Sequence, residues 1–116
     1  MNVNDIINLV RPLVGDDAAD ESGQQWTDPQ YLAQINMARM TMFRDHPETR
    51  LQVSGALLDY SPLDLNAAID LHDVYIPPLV SFVAWKYFES DSGDTKDLER
   101  AKEHRANYEL FFTPRK

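Results

Sequence analysis

Val74-Tyr75-Ile76-Pro77-Pro78-Leu79-Val80-Ser81-Phe82-Val83-Ala84-Trp85-Lys86-Tyr87-Phe88 is an apolar run interrupted only by Ser81 and Lys86. A surface helix carries one apolar stripe, so a segment apolar nearly all round belongs inside a fold. It falls short of the ~18 to 20 apolar residues that cross a bilayer, which makes it core rather than a membrane span. Its aromatic and β-branched content would also suit a strand. Its length, the Ala84-Trp85-Lys86-Tyr87 run and the acidic entry at Asp70 and Asp73 favour helix. Proline is accommodated only in the first turn, so regular helix begins near Pro77 or a lead-in from Leu71 is kinked there. On this reading Trp85 is a core residue, and Trp85→Ala is expected to cost about 3–5 kcal/mol.

The chain around this segment has 116 residues, no cysteine and a formal charge of −8, with an isoelectric point near 4.6. That length fits one domain, 1–116, with one core. Without cysteine there is no disulfide frame or thiol chemistry. The opening Met1-Asn2-Val3-Asn4-Asp5-Ile6-Ile7 lacks the basic region and apolar block of a signal peptide. An acidic surface repels phosphate backbones, which argues against a sequence reader of nucleic acid.

Outward from the core segment, the pattern predicts an all-α bundle of about four helices, near 3–14, 27–45, 73–90 and 94–112, with a short extended or hairpin segment around 51–60. Val3, Ile6, Ile7, Val10, Leu13 and Val14 fall on one face of the first helix. Asn2 or Asn4 caps it, Asp5 suits its first turn, and Pro12 kinks or ends it. Gly15 to Gln25 reads as a solvated acidic loop, without the ligand spacing of an EF-hand.

The helix-start signature is Trp26-Thr27-Asp28-Pro29-Gln30: Thr27 caps, Gln30 completes a capping box, and Trp26 staples onto the first turns. Leu32, Ile35, Ala38, Met42 and Phe43 form the buried stripe, with Asn36 and Arg39 beside it as hydrogen-bonding groups. His46-Pro47 ends this helix. Ser61-Pro62-Leu63-Asp64 reads as a cap opening a turn or two of helix. Asp94 caps the last helix, whose inward seam is Leu98, Ala101, Arg105, Tyr108 and Phe112. Glu99 and Lys102 can pair on its outer face, and His104 reads as solvated. Residues 111–116, Phe-Phe-Thr-Pro-Arg-Lys, make an aromatic and basic tail on an acidic chain, and adjacent aromatics at a terminus suit a contact surface.

No constellation for chemistry emerges. His46, His72 and His104 lie in separate elements with no ligand spacing, and neither a nucleophile elbow nor a glycine-rich phosphate loop is present. The expectation is a non-enzyme with no catalytic, cofactor or metal residues.

Several stretches together resemble the head-tail adaptor (connector, or neck) proteins of tailed bacteriophages. They are Trp26-Thr27-Asp28 with Leu32, Ile35-Asn36 and Ala38, then Asp59-Tyr60-Ser61-Pro62-Leu63, Ile69-Asp70-Leu71 and Asp73-Val74-Tyr75 with Pro78-Leu79-Val80. The Ser90-Asp91 turn follows, before a helix ending Ala106-Asn107-Tyr108 and Phe111. The likeness covers most of the chain through the order and spacing of helix and capping signatures, although Arg50 to Asn66 is shorter than the strand-rich middle of many relatives. It implies a structural virion subunit forming a ring, commonly twelve-fold, that joins the portal protein to a tail or nozzle protein. Double-stranded DNA passes through without sequence-specific binding. It further implies location in the virion neck, or in the host cytoplasm during assembly, and no membrane partner. Carried onto this chain, the portal contacts are Tyr108, Phe111, Phe112, Pro114, Arg115 and Lys116. The alternatives are a head-closure or tail-completion neck protein, or a small helical interaction module outside the virion.

Overall fold

The computed structural model describes residues 1–16, 26–51, 55–90 and 95–113. Four helices account for most of them: α1 (Val3–Val14), α2 (Asp28–Asp45), α3 (Ile76–Ser90) and α4 (Thr95–Phe112). The all-α bundle expected from the sequence is the fold observed. α3 packs on each of the other three helices and most extensively on α4. Its Leu79, Phe82, Val83, Ala84, Tyr87 and Phe88 are buried among Val3, Ile6 and Val10 of α1 and Tyr31, Ile35 and Met42 of α2. The segment nearly apolar all round is therefore the shared wall of the bundle, because only a helix with neighbours on several sides can bury it.

Helix starts follow local chemistry. Asn2 Oδ1 accepts from the Asp5 N–H at 2.9 Å, and Asp5 Oδ2 accepts from the Asn2 N–H at 2.8 Å. At α2, Thr27 Oγ1 accepts from the Gln30 N–H and Gln30 Oε1 accepts from the Thr27 N–H at 2.7 Å. Two otherwise orphaned donors are satisfied each time. Trp26 packs edge-on against Tyr31, one turn into α2, with ring centres 5.1 Å apart, as a staple should. Thr27→Ala should lower stability by about 1 kcal/mol, read as a reduced urea midpoint with an unchanged slope. Pro12 lies in the last turn of α1, which ends at Gly15 in the left-handed region at φ 77°. A 3-10 turn, Asp73–Tyr75, leads into α3, whose Pro77 and Pro78 occupy its first turn, where no helical N–H is needed.

Elsewhere the structure corrects the sequence reading. Leu13, assigned to the buried face of α1, is exposed, and Arg11 is buried in its place. Val74 at the head of the core segment is exposed, and Trp85 is half-buried. On α4 the inward residues are Ala101, His104, Tyr108 and Phe112, while Leu98 and Arg105 face solvent. His104 is thus not a solvated side chain: its ring stacks on Phe88 with centres 5.6 Å apart. An apolar-only count passes over it, yet a neutral imidazole packs as an aromatic. Ion pairs on α4 include Arg100 with Asp97 and Arg105 with Glu109. The Asp94 cap lies outside the described residues.

The connection between α2 and α3 differs from expectation at Ser61. After α2, a 3-10 turn (Pro47–Arg50) leads to one antiparallel bridge, Leu51 to Leu57, and Gly55 takes φ 87° between them. The bridge, with no strand among the described residues, fits the short extended or hairpin segment expected here. No helix opens at Ser61. Residues 61–64 stay out of helix, with Asn36 claiming both the N–H and the C=O of Leu63, at 2.9 and 3.1 Å, and Arg39 claiming the Ser61 carbonyl at 3.0 Å. The chain then lies beside the N-terminus: Val3 N–H donates to Ala67 O and Ile69 N–H donates to Met1 O.

Candidate functional site

Two buried arginines hold the loops. Arg39 is fully enclosed and meets Asp70 with both fork nitrogens, Nε to Oδ1 at 2.9 Å and Nη2 to Oδ2. Its Nη1 reaches Asn36 Oδ1 at 2.9 Å, and its guanidinium lies over the Tyr60 ring at 5.3 Å. Asp70, proposed from sequence as an acidic helix entry, is in fact the counter-ion of α2. Arg11 donates to Asp28 at 2.7 Å, to the Trp26 carbonyl at 3.1 Å and to Asp16 at 3.2 Å. Asp16, expected in a solvated loop, is buried and also accepts from the Tyr31 hydroxyl at 2.7 Å. Burial, then the Asp16 carboxylate, pushes the Tyr31 hydroxyl well above the ordinary tyrosine value. The remainder of the acidic loop, residues 17–25, lies outside the described residues. Paired around two buried guanidiniums, these clusters tie segments together.

The signature residues gather on this frame. Trp26 packs edge-on to both Tyr31 and Tyr87, Thr27 caps, Asp28 anchors Arg11, and Asn36 fastens Leu63. Trp85 sits at the rim of α3, its Nε1 donating to Glu89 at 2.8 Å with the Lys86 ammonium 4.1 Å from its ring.

The candidate contact residues divide. Phe112 is half-buried, stacked on His46 with ring centres 3.7 Å apart, and also meets Tyr75. Tyr108 is buried against Phe82 and Phe112, so it supports the tail instead of offering a contact itself. Its hydroxyl has no hydrogen-bond partner among the described residues, and burial pushes its pKa up to about 12. Phe111 is exposed, as are Leu110 and Val74, and Tyr75 meets Phe111 edge-on at 6.1 Å. Pro114, Arg115 and Lys116 lie outside the described residues. The tail base is therefore an aromatic ledge where the end of α4 meets the start of α3. Tyr75 belongs to it, and Val74 beside it in the chain is exposed, although the sequence placed both in the core.

Beside the ledge, a groove of about 520 Å³ runs between α2, α3 and α4, lined by Met37, Thr41, Phe82, Trp85, Lys86 and Tyr108 among others. His46, His72 and His104 remain apart: His46 stacks on Phe112, His72 Nδ1 accepts from the Val74 N–H, and His104 stacks on Phe88. Burial holds the His104 imidazole below its ordinary pKa. Among the described residues no group of three or more acidic or histidine side chains is placed to hold a metal ion. No helix among them is long and apolar enough to cross a membrane. Compared with protein-family models, with curated proteins and with solved structures, the chain matches none.

Proposed function

We propose that this chain is a structural virion protein, a head-tail adaptor whose copies form a ring joining a portal protein to a tail or nozzle protein while double-stranded DNA passes through. It works by contact and not by catalysis, in the virion neck and, during assembly, in the host cytoplasm. The order and spacing of the helix and capping signatures support the family assignment. The observation that carries the contact role is exposed Phe111, set edge-on to Tyr75 and Phe112, with exposed Val74 and Leu110 next to Tyr75 and Phe111 in the chain. A rigid aromatic platform at a chain end suits docking, because little conformational freedom is lost on binding. The net charge of −8 suits a lumen through which DNA slides without sticking.

The test uses two variants. Removing residues 111–116 should abolish capture by purified portal protein while far-UV helicity persists. Phe111→Asp should weaken capture by more than about tenfold, because it leaves the Phe112 stack in place and puts a charge on the ledge. Undiminished capture by both variants removes the portal assignment.

A further inference from the structure

On an acidic chain, two helices turn an uncharged face to solvent. From Pro29 to Phe43 the only charged residue of α2 is Arg39, and it is buried. What α2 exposes there is Pro29, Gln30, Ala33, Met37 and Met40, with Met37 45% and Met40 38% accessible. The second half of α1 is alike: Arg11 is buried, and Leu9, Pro12 and Leu13 are exposed, Leu9 at 47% and Leu13 at 49%. α4 shows the contrast, exposing Lys96, Glu99, Arg100, Lys102 and Glu103 in succession. The rim beside Met37 is neutral in sum, since Arg44 pairs with Asp45 and Lys86 with Glu89.

A basic partner would be drawn to acidic surface. A face cleared of charge serves a partner of the same sign, because it removes like-charge repulsion where the two surfaces meet. Depletion of acids and lysine with enrichment of methionine is also the composition of an interface centre. We infer that the α2 face around Met37 and Met40 receives a second copy of this chain through that copy's α1 stripe of Leu9, Pro12 and Leu13. Pairing α2 with α2 would leave the α1 stripe uncovered, whereas α2 against α1 covers both. Repeated from copy to copy, this contact closes into a ring or runs on as a filament, whereas made reciprocally by two copies it closes as a pair; the ring proposed above needs the first. This deepens the ring assembly proposed above, and its test needs no portal.

The chain has no cysteine, so single exposed cysteines report contacts cleanly. Full-length Met37→Cys mixed with full-length Leu13→Cys should cross-link under mild oxidation well ahead of either variant alone, and ahead of Leu98→Cys pairs on the charged α4 face. Met37→Glu should reduce self-association in sedimentation by more than about tenfold without loss of helicity. Higher salt should strengthen association of the unaltered chain by screening its net charge. Cross-linking no faster than the Leu98→Cys control overturns the interface. Preferential Met37→Cys self-linking overturns the α1 mate. Failure of portal capture with this cross-link intact would instead count against the function proposed above.

Discussion

Arg39→Ala lowers the free energy of unfolding by about 3–5 kcal/mol, the range for removing one partner of a buried ion pair. The guanidinium is wholly enclosed and serves three elements at once: Asn36 on its own helix, the Ser61 carbonyl, and the Asp70 carboxylate on the approach to α3. Without it, Asp70 keeps a charge that is largely shielded from water, and the Ser61 carbonyl loses its donor. Arg39→Met should recover part of the loss by filling the volume against Phe43 and Tyr60. Arg39→Lys should recover less than its charge suggests, because an ammonium cannot reproduce the two-pronged contact. Asp70→Asn strands the buried guanidinium, and the double variant Arg39→Met, Asp70→Asn should cost less than the two single changes summed. Urea unfolding monitored by circular dichroism measures each term. An unchanged midpoint for Arg39→Met would show that the cluster contributes volume and no electrostatic locking.

The second large effect separates two aromatic residues of α3 that look alike in the sequence. Phe82→Ala should cost about 3–5 kcal/mol, since the ring is buried and its removal leaves a cavity between α3 and α4. Trp85→Ala should cost only about 1–2 kcal/mol, because the half-buried indole gives up less apolar burial than an enclosed ring. It lies edge-on to Phe82 with ring centres 5.2 Å apart and works partly as a cover, with Lys86 and Arg105 over its ring. This revises the core role that the apolar run implies for Trp85. Equal losses for the two variants in the same unfolding experiment would restore that role.

The residues that behaved as their local sequence demands are those whose partners are a few positions away. Asn2 with Asp5, Thr27 with Gln30 and Trp26 with Tyr31 are caps and staples closed within one turn of helix, so their types and spacing carry the information. Pro77 and Pro78 set the start of α3 through their missing N–H groups. The uncharged faces of α1 and α2 were also there to be read, but only once Arg11 and Arg39 were known to point inward.

What depended on the assembled bundle is everything whose partner lies far along the chain. Residues 61–64 carry the proline and cap residues of a helix start, and in isolation would use them so. Asn36 and Arg39, more than twenty positions earlier, take their backbone groups and hold them out of helix. His104 joins the inward side of α4, where Phe88 offers it an aromatic face, and Val74 is left exposed while its neighbour Tyr75 meets Phe111. Spacing along a chain encodes what a helix does with its own turns; which polar side chain is swallowed, and which apolar one is left in water, is settled only when distant segments compete for the same hydrogen-bonding groups and the same buried volume.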